Sequence, residues 1–330
     1  MIIVKTPYRI SFCGGGTDLP GFYKKNNGQV LTTSIKNYIY VLVKKQTGII
    51  EYKYKIHWSK TEFKNKISEI NHPIVREALR FFKINHPIEI SSFADIPAST
   101  GLGSSSAFAV GLVKALFALS GKNKSNQHVA KIASKIEVDI LKRRIGRQDH
   151  YSTCYGGLNF IDFFKNDKIK VSKININNNN KKILESSTIL LYTKLKRDAD
   201  DVLKKQYKPD KAQFKNLVNL KLDVKKFKKN FTNKIFDIKE TGNLLNKQWE
   251  IKKKINNISN TKIDKMYNKA MLLGAYGGKL LGAGKGGFLL ILSNKNTQKK
   301  IKKTFGEQNI INIKFDNDGT KIIYKKNLPL

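Results

Sequence analysis

The most informative stretch of this chain runs from Ile96 to Ala107 and reads Ile-Pro-Ala-Ser-Thr-Gly-Leu-Gly-Ser-Ser-Ser-Ala. Directly after it, apolar residues recur with the spacing of a helix, at Ala107, Val110, Leu112, Val113, Leu116 and Phe117. The first N–H groups of a helix have no partner inside it, and the aligned peptide dipoles favour an anion there. Gly101 and Gly103 allow the backbone to approach a phosphate closely. The stretch therefore predicts a phosphate-binding loop, with a serine-capped core helix as the structural alternative.

Length and composition suggest two domains of an ordinary globular protein. The chain has 330 residues, of which 40% are hydrophobic. It has no apolar run of about 18 residues, so we expect no membrane span. Residues 1–7 are typical of a strand and a turn rather than a secretory signal. Cys13 and Cys154 are then expected as free thiols of a reducing compartment, which favours a cytoplasmic protein.

The formal net charge of +38 could indicate nucleic acid, an anionic membrane or an acidic substrate as partner. The lysines are spread along the chain, and Ile and Asn are abundant too, as in Asn177–Asn180, so the charge reflects a general compositional bias. The sequence has no zinc-finger spacing and no basic region linked to heptads. Nucleic-acid binding is therefore the lesser alternative, and the same field would favour a phosphorylated small-molecule substrate.

A second stretch, from Pro7 to Gly21, reads Pro-Tyr-Arg-Ile-Ser-Phe-Cys-Gly-Gly-Gly-Thr-Asp-Leu-Pro-Gly. Arg9 lies among strand-like residues, and the three glycines then bend the chain before Asp18. A carboxylate presented this way can accept hydrogen bonds from sugar hydroxyls, and a guanidinium nearby can neutralise phosphate charge. The structural alternative is a turn in which Asp18 caps a helix over 19–24.

A third stretch, Ser125–Gly157, contains two carboxylates that suit phosphoryl transfer. Glu137 lies at the margin of an apolar helical face, where a carboxylate is costly unless it is paired or binds a cation. Asp149 follows the turn marked by Gly146 and begins another helical segment. One carboxylate for a metal and one for a proton fit phosphoryl transfer. A salt-bridged Glu137 and a helix cap at Asp149 are the alternatives.

A fourth stretch is rich in glycine, and its segment Gly282–Gly287 matches G-x-G-x-x-G formally. A dinucleotide site needs a strand before this loop and a helix after it. Here a helix over 261–276 is predicted before the loop and a strand over 288–292 after it, so we reject that interpretation. The chain also lacks the P-loop and protein-kinase motifs. The loop is expected to be a helix-to-strand turn that can approach an active site.

The chain divides into two parts near residues 165–190. The first contains three strand candidates, Ile2–Val4, Ile39–Val43 and Ile88–Ser92. Polar residues over 166–182 predict a hairpin or loop, a strand follows over about 183–192, and a Lys-rich helical region extends to about 257. We place the domains at 1–182 and 183–330. The role of the Lys-rich stretch over 194–254 stays open between a solvated helical face and a phosphate site.

Together and in this order, the four stretches resemble those of the GHMP kinases, which include galactokinase, homoserine kinase and mevalonate kinase. That superfamily has a Pro-x-Arg/Lys opening strand, a central Pro-x3-Gly-Leu-Gly-Ser-Ser-Ser/Ala loop and a C-terminal Gly-Ala-Gly-rich motif, and all three occur here. Within it, the stretches over 7–18 and 136–159 are most similar to the D-glycero-D-manno-heptose 7-phosphate kinases.

The resemblance implies an α+β fold of two domains. The N-terminal domain would be similar to domain 2 of ribosomal protein S5, the C-terminal domain would be ferredoxin-like, and the active site would lie in the cleft between them. The implied cofactors are ATP and Mg²⁺, and the implied partner is a small-molecule sugar phosphate. A homodimer is left open.

The resemblance also implies roles for particular residues. ATP would be bound by Pro97, Ser99, Thr100, Gly101, Leu102, Gly103, Ser104, Ser105 and Ser106. Mg²⁺ would be bound by Ser105 and Glu137. Asp149 would orient or deprotonate the acceptor hydroxyl, with Arg9 close to it. The acceptor would be bound by Arg9, Gly15, Gly16, Thr17, Asp18, Asp149, Gly284 and Lys285. Two residues depart from the family pattern: Lys285 interrupts a glycine run, and His150 replaces a residue that often carries an amide.

The implied reaction is transfer of the γ-phosphoryl group of ATP to the anomeric C1 hydroxyl of D-glycero-D-manno-heptose 7-phosphate. The 1,7-bisphosphate formed would be a precursor of nucleotide-activated heptose for surface polysaccharide. Three alternatives stay open at this point: another sugar 1-kinase of the superfamily acting on fucose or galactose, a GHMP-type decarboxylase, and a nucleic-acid-binding module.

Overall fold

The computed structural model of this chain describes residues 1–196, 202, 209–255 and 258–326. The strands are β1 (Ile2–Cys13), β2 (Gly28–Lys45), β3 (Tyr54–His57), β4 (Thr61–Lys64), β5 (Ile88–Ala94), β6 (Leu158–Phe163), β7 (Ile169–Lys173), β8 (Thr188–Tyr192), β9 (Gly277–Leu280), β10 (Phe288–Leu292), β11 (Ile310–Asn312) and β12 (Lys321–Lys325). The α-helices are α1 (Pro20–Asn26), α2 (Pro73–Phe81), α3 (Ser104–Leu119), α4 (Asn126–Ser134), α5 (Gln148–Tyr155), α6 (Asn178–Ser187), α7 (Lys211–Thr232), α8 (Ile238–Lys253), α9 (Thr261–Leu272) and α10 (Lys295–Phe305). A π-helical segment, Lys135–Ile140, continues α4.

Within the described residues the strands form two sheets, of eight and four strands. The first sheet has the order β12-β1-β2-β5-β3-β4, and β6 and β7 extend it from β2. Strand β2 is long enough to serve two neighbours, because its first half pairs with β6 and its second half with β5. The three strand candidates of the sequence lie inside β1, β2 and β5, as predicted. The expected α+β class is confirmed.

Helix α3 is the buried helix of the first sheet. Most of its residues are buried, and it packs on β1 and β2, as expected for a helix that is apolar on all sides. It begins after Gly103, whose φ of +79° is in the left-handed region, and no side chain caps it. The serine-capped alternative is therefore wrong. The helix ends at Leu119, just before Gly121 at a φ of +70°, close to the predicted end.

The second sheet is antiparallel throughout, in the order β11-β8-β10-β9. Its strand β8 begins at Thr188, so the expectation of a strand from about residue 183 is wrong in its first part. The cause is helix α6, which starts because the side chain of Asn177 accepts a hydrogen bond from the N–H of Asn180. The Lys-rich region forms α7 and α8 where it is described, and its part at 197–201 and 203–208 lies outside the described residues.

The glycine-rich loop is part of a β-hairpin. Helix α9 ends at Leu272 instead of continuing to residue 276, and β9 follows before the loop. Because β9 and β10 pair antiparallel, the segment Gly282–Gly287 connects two strands, and the predicted helix-to-strand turn is wrong. The strand β10, and not a helix, comes directly after the loop, so the rejection of a dinucleotide site holds.

The two sheets share contacts around the end of β1. The C-terminal strand β12 returns to pair with β1, so residues 321–325 belong to the first sheet. The main hydrophobic cluster contains residues of both sheets, including Leu190 and Leu290. The division at 182/183 stays a prediction about the chain: apart from Phe22, a second hydrophobic cluster consists of residues after 182, whereas the main cluster contains residues of both parts.

Two further features bear on the sequence expectations. None of the described helices is long and apolar enough to cross a membrane. Cys13 and Cys154 are free and buried. Burial raises the pKa of both thiols, that of Cys154 to about 12, which makes the thiolate form scarce near neutral pH.

Gly111 provides a test of the packing between α3 and the first sheet. A Cβ at this position would lie 2.9 Å from Thr6 Oγ1 and 3.0 Å from Val41 Cγ2. Alanine usually stabilises a helix interior relative to glycine, by about 1 kcal/mol. We expect Gly111→Ala to lower the free energy of unfolding instead, by about 1–3 kcal/mol, because it overpacks this contact. Urea unfolding measures the change.

The matched control for Gly111→Ala is the double variant with Thr6→Ala, which removes one of the two clashing atoms. If overpacking is the cause, alanine at position 111 costs less in the Thr6→Ala background than in the wild type. An equal cost in both backgrounds, or a gain in the wild type, would contradict the close approach of α3 to β1.

Candidate active site

A cavity of about 850 Å³ lies where the end of β1, the start of α3 and the second sheet meet. Its volume is within the range of sites for small molecules. Residues from the first, second and third stretches of the sequence line it, together with Gly282 and Ala283 of the hairpin loop. The structure therefore brings together four stretches that are far apart in the chain.

The ion pair between Arg9 and Asp149 is at the centre of this cavity wall. Arg9 donates from Nε to Asp149 Oδ1 at 2.6 Å and from Nη2 to Asp149 Oδ2 at 2.5 Å, so the pair is bidentate. Its Nη1 donates to the carbonyl of Gly101 at 2.7 Å. Arg9 is buried, while 21% of the surface of the Asp149 side chain is exposed. Arg147, not Asp149, is at the N-cap of α5, so the helix-cap alternative is wrong.

The predicted phosphate loop directly adjoins this ion pair. A Cβ at Gly103 would lie 3.2 Å from Asp149 Oδ2 and 3.3 Å from Arg9 Cγ, so a side chain there would crowd the ion pair. The loop residues that line the cavity are Ser99, Gly101, Gly103, Ser104, Ser105 and Ser106. Because no side chain caps α3, the N–H groups of its first turn remain for a ligand.

Three residues predicted to bind ATP do not line the cavity and instead support the loop: Pro97, Thr100 and Leu102. Leu102 is buried, and its carbonyl accepts a hydrogen bond from the N–H of Arg9. Thr100 is buried too, its hydroxyl donates to the carbonyl of Pro97, and its own carbonyl accepts from the N–H of Phe288. These contacts hold the loop against β1 and β10.

Glu137 is fully buried on the π-helical segment and contacts three side chains. Its Oε1 accepts from Ser105 Oγ at 2.5 Å and from Arg143 Nη1 at 2.9 Å, and its Oε2 lies 2.8 Å from His150 Nε2. Burial alone would raise the pKa of Glu137, but the hydrogen bond and charge of His150, with Arg143 and Ser105, lower it to about 2. The carboxylate is therefore ionised and paired.

Asp18 is buried beside the same cavity and does not cap α1, whose N-cap residue is Leu19. Its Oδ1 accepts from the N–H of Gly16 and from Gln148 Nε2, both at 3.0 Å, and its Oδ2 accepts from the N–H of Gln148 at 3.2 Å. Burial raises the pKa of Asp18, and the charge of Asp149 raises it further. A Cβ at Gly146 would overlap this carboxylate.

The other residues predicted around Asp18 divide into two groups. Gly15 and Gly16 line the cavity. Thr17 does not, because its hydroxyl donates to the carbonyls of Gly14 and Gln29 and accepts from the N–H of Gln29, which fixes the turn. Beside Gly15, the sequence analysis missed Ser11 and Gln148, and two of their buried oxygen atoms, Ser11 Oγ and Gln148 Oε1, have no hydrogen-bond partner among the described residues.

The structure does not bring Gly284 and Lys285 to the cavity. Gly284 packs against Ile258, and Lys285 is exposed at a φ of +61°, with its N–H donating to the carbonyl of Ile258. Gly287 instead packs on the backbone of Thr100. The hairpin loop therefore supports the phosphate loop. Lys285 is exposed, and its charge does not lie at the cavity, where it was expected to meet the substrate.

Three cationic side chains also line the cavity: Arg143, Lys252 and Lys279. Lys252 is in the Lys-rich stretch over 194–254, for which a phosphate site was one open alternative, while no motif indicated a role for Arg143 or Lys279. Lys279 is in β9, a segment that was expected to be part of a turn, so no period-2 pattern indicated which side it faces. Burial lowers the pKa of Lys279 to about 8, and the charge of Arg9 contributes.

Comparisons with known proteins agree with this architecture. The model of the GHMP kinases N terminal domain matches residues 73–157, and the model of the GHMP kinases C terminal matches residues 225–311. The chain is 30% identical to a D-glycero-alpha-D-manno-heptose 7-phosphate kinase of Campylobacter jejuni, over 97% of this chain and 98% of that one. It is 25% identical to a galactokinase of Thermotoga maritima, over 92% of this chain and 93% of that one.

The chain belongs to the GHMP kinase family, and it is a phosphotransferase with an alcohol group as acceptor. Solved structures support the fold. A D-glycero-D-manno-heptose 1-phosphate kinase from Bacteriodes thetaiotaomicron has a TM-score of 0.75 at 21% identity, over 99% of this chain and all of that one. A Lactococcus lactis galactokinase has a TM-score of 0.74 at 16% identity, over 97% and 94%.

The contacts of Glu137 predict a pH dependence of stability. Its pKa is about 2 in the folded chain and has an ordinary value of 4.5. The stabilisation is therefore complete above about pH 4.5 and is lost as the pH falls towards 2. We expect Glu137→Gln to lower the free energy of unfolding by about 3 kcal/mol at pH 7, and the difference from the wild type to shrink below pH 4.5.

Urea unfolding between pH 7 and pH 3 measures this difference. The matched control is Glu250→Gln, because Glu250 is half-exposed and pairs with Lys253 on the surface of α8. Its effect should stay below about 1 kcal/mol at every pH. A Glu137→Gln effect that does not change with pH would contradict an ionised and paired Glu137.

Proposed function

We propose that this protein is a sugar kinase that phosphorylates the anomeric C1 hydroxyl of D-glycero-D-manno-heptose 7-phosphate with ATP, giving the 1,7-bisphosphate for nucleotide-activated heptose. The observation that carries the proposal is the contact of the phosphate loop with the Arg9–Asp149 ion pair at Gly103, next to the buried Asp18 carboxylate. The identity to the Campylobacter jejuni heptose 7-phosphate kinase over nearly the whole chain supports this acceptor.

One part of the cavity wall suits the adenine base of ATP. It is lined by the aromatic side chains Trp58, His72 and Phe108, with ring centroids 4.7 Å and 4.9 Å apart. Burial lowers the pKa of His72 to about 4, against the charge of Glu62, so the ring is neutral near pH 7 and can stack on a base. Phe108 lies one turn along α3 from Ser104, which puts the phosphates of a nucleotide stacked there within reach of the first turn of α3.

Ser105 and Glu137 fit the Mg²⁺ ion that GHMP kinases generally use with ATP. Ser105 Oγ and Glu137 Oε1 lie side by side, and Mg²⁺ prefers such oxygen ligands together with substrate phosphates and water. The same two oxygens now accept hydrogen bonds from Arg143 Nη1, at 2.7 Å and 2.9 Å, so this position already holds a cationic group. Ser105 Oγ and Glu137 Oε1 would hold Mg²⁺ in place of that guanidinium, and the ion would supply positive charge that neutralises the transferring phosphates.

Asp149 would accept the proton of the acceptor hydroxyl. Its bidentate pair with Arg9 fixes the direction of both carboxylate oxygens, and its partial exposure leaves it accessible from the cavity. The transition state of phosphoryl transfer is loose and anionic, so positioning and charge stabilisation contribute most of the catalysis. Arg9 would supply the positive charge next to the transferring group.

Asp18 would bind hydroxyls of the sugar ring. Its buried carboxylate lies at the cavity wall, and Gly15 and Gly16 line the same part of the cavity. Ser11 Oγ and Gln148 Oε1, beside Gly15, are buried and have no hydrogen-bond partner in the described part of the chain. Buried polar atoms of this kind would be satisfied by the hydroxyl groups of a ligand. These groups would orient the anomeric hydroxyl towards Asp149.

The second candidate is a kinase for an unphosphorylated sugar, such as galactose or fucose. The relatives include a galactokinase of Thermotoga maritima and a bifunctional fucokinase/GDP-fucose pyrophosphorylase of Arabidopsis thaliana, each 25% identical to this chain. Such a kinase would use the same Arg9, Asp149 and Asp18, so only the preference for a phosphate on the acceptor distinguishes the two.

A panel of acceptors tests the proposal. With ATP and Mg²⁺, we expect kcat/KM for the heptose 7-phosphate to exceed that for unphosphorylated heptose, mannose, fucose and galactose by at least about 100-fold, because a site built for a charged group rejects its absence. ADP release measures turnover, and lability of the product to acid locates the phosphate at C1. Turnover that favours an unphosphorylated sugar would support the second candidate, and no turnover with any of them would contradict both.

The role of Asp149 is tested by Asp149→Asn. We expect kcat for the preferred acceptor to fall by about 10²- to 10⁴-fold, since the variant removes the proton acceptor and the charge that pairs with Arg9. The matched control is Asp139→Asn, which changes a half-exposed aspartate that pairs with Arg147. The control should keep kcat within about threefold, given the small value of exposed ion pairs. A folded Asp149→Asn enzyme with normal turnover would contradict the role.

A further inference from the structure

We propose that Lys279 and Lys252 form the subsite that binds the distal phosphate of the acceptor, and so determine the preference for a phosphorylated sugar. This inference rests on the proposed function, because it names the residues that meet the part of the substrate farthest from the reacting hydroxyl. Lys252 lies in the Lys-rich stretch over 194–254, for which a phosphate site was one open alternative, and no sequence motif indicated a role for Lys279.

Lys279 is a buried cation at the cavity wall, with 3% of its surface exposed. Its Nζ donates to the carbonyl of Phe12 at 3.1 Å, and among the described residues no carboxylate forms an ion pair with it. An ammonium group has three donors, and burying it without a counter-charge costs several kcal/mol. A bound dianion would repay this cost, which gives a physical reason for a lysine at this position.

Lys252 brings a second ammonium group to the same cavity. It lies on α8, which packs on β9, and only 8% of its surface is exposed. Its Nζ donates to the carbonyl of Gly282 at 2.7 Å, three residues after Lys279 in the chain. Both lysines therefore belong to the wall that α8 and the β9–β10 hairpin contribute. In contrast to Lys279, the cavity cations Arg9 and Arg143 form ion pairs with the carboxylates of Asp149 and Glu137.

Strand β1 gives the distance between this wall and the reaction centre. Arg9, at the reaction centre, is three residues before Phe12, whose carbonyl holds Lys279. A strand advances about 3.3 Å per residue, so these positions are roughly 10 Å apart along β1. A sugar phosphate extended in this direction, past Ser11 and Asp18, would have its C1 hydroxyl near Asp149 and its distal phosphate near Lys279.

The test compares Lys279→Met, Lys252→Met and the wild type, each with heptose 7-phosphate and with unphosphorylated heptose. Methionine keeps the length of the chain and removes the charge. We expect Lys279→Met to reduce kcat/KM for the 7-phosphate roughly 30-fold or more, mainly through KM, and to change that for the unphosphorylated sugar less than about threefold. Lys252→Met should act in the same direction.

The matched control is Lys254→Met, because Lys254 is exposed near the end of the same helix, two residues from Lys252. It should leave the preference for the 7-phosphate unchanged. If Lys279→Met reduces kcat/KM equally for both substrates, Lys279 only supports the structure through its hydrogen bond to Phe12, and the inference is overturned. A variant that keeps the full preference for the 7-phosphate would overturn it too.

Binding measured without turnover separates this inference from the proposed function. The unfolding temperature of each variant is followed with heptose 7-phosphate and with unphosphorylated heptose. Stabilisation of the wild type by the 7-phosphate that is lost in Lys279→Met supports the subsite even if no phosphoryl transfer occurs. Equal stabilisation of both, or no stabilisation of the wild type, overturns the subsite, whereas the acceptor panel alone decides the reaction.

Discussion

The guanidinium group of Arg9 is the constraint on which the rest of this site depends. From β1, it binds the carbonyl of Gly101 in the phosphate loop and the carboxylate of Asp149 on α5. Arg9 and Asp149 are 140 residues apart in the chain. A planar group with donors in fixed directions can make these contacts at once, which lysine could not do. The phosphate loop is therefore fixed relative to the carboxylate that would take the proton, before any ligand binds.

Close backbone contacts complete this arrangement, and they explain the glycines of three separate stretches. A side chain at Gly103 would crowd the ion pair, a Cβ at Gly146 would overlap the Asp18 carboxylate, and Gly287 packs on the backbone of Thr100. The segment Gly282–Gly287 thus packs on the phosphate loop from outside the cavity. It contributes only Gly282 and Ala283 to the cavity wall. Its role is to set the position of the loop.

The sequence predicted what depends on local pattern, and it failed where contacts cross the chain. The start of α3 follows from glycine placement and helical spacing within a short stretch. The roles expected of Arg9, Asp149 and Asp18 were distinguished from their structural alternatives only by the resemblance to the GHMP kinases. The pairing of Glu137 with Arg143 and the burial of Lys279 depend on which elements become neighbours, and no spacing in one sequence encodes this. The short strand β9 was missed because it begins soon after the end of α9 and contains two glycines, which weaken the strand signal.

The charge of the chain acquires a different meaning once the cavity is known. A net charge of +38 spread over the surface gives a diffuse field, which is screened within about 8 Å at physiological ionic strength. Inside the cavity, the charges of Arg9 and Arg143 are balanced by the buried or half-buried carboxylates of Asp149 and Glu137. These two arginines would therefore affect a ligand mainly through the fixed directions of their hydrogen bonds. Lys279 has no such carboxylate among the described residues. On the proposed function, selectivity for a doubly charged acceptor would therefore depend on one wall of the cavity and would survive a large reduction of the surface charge.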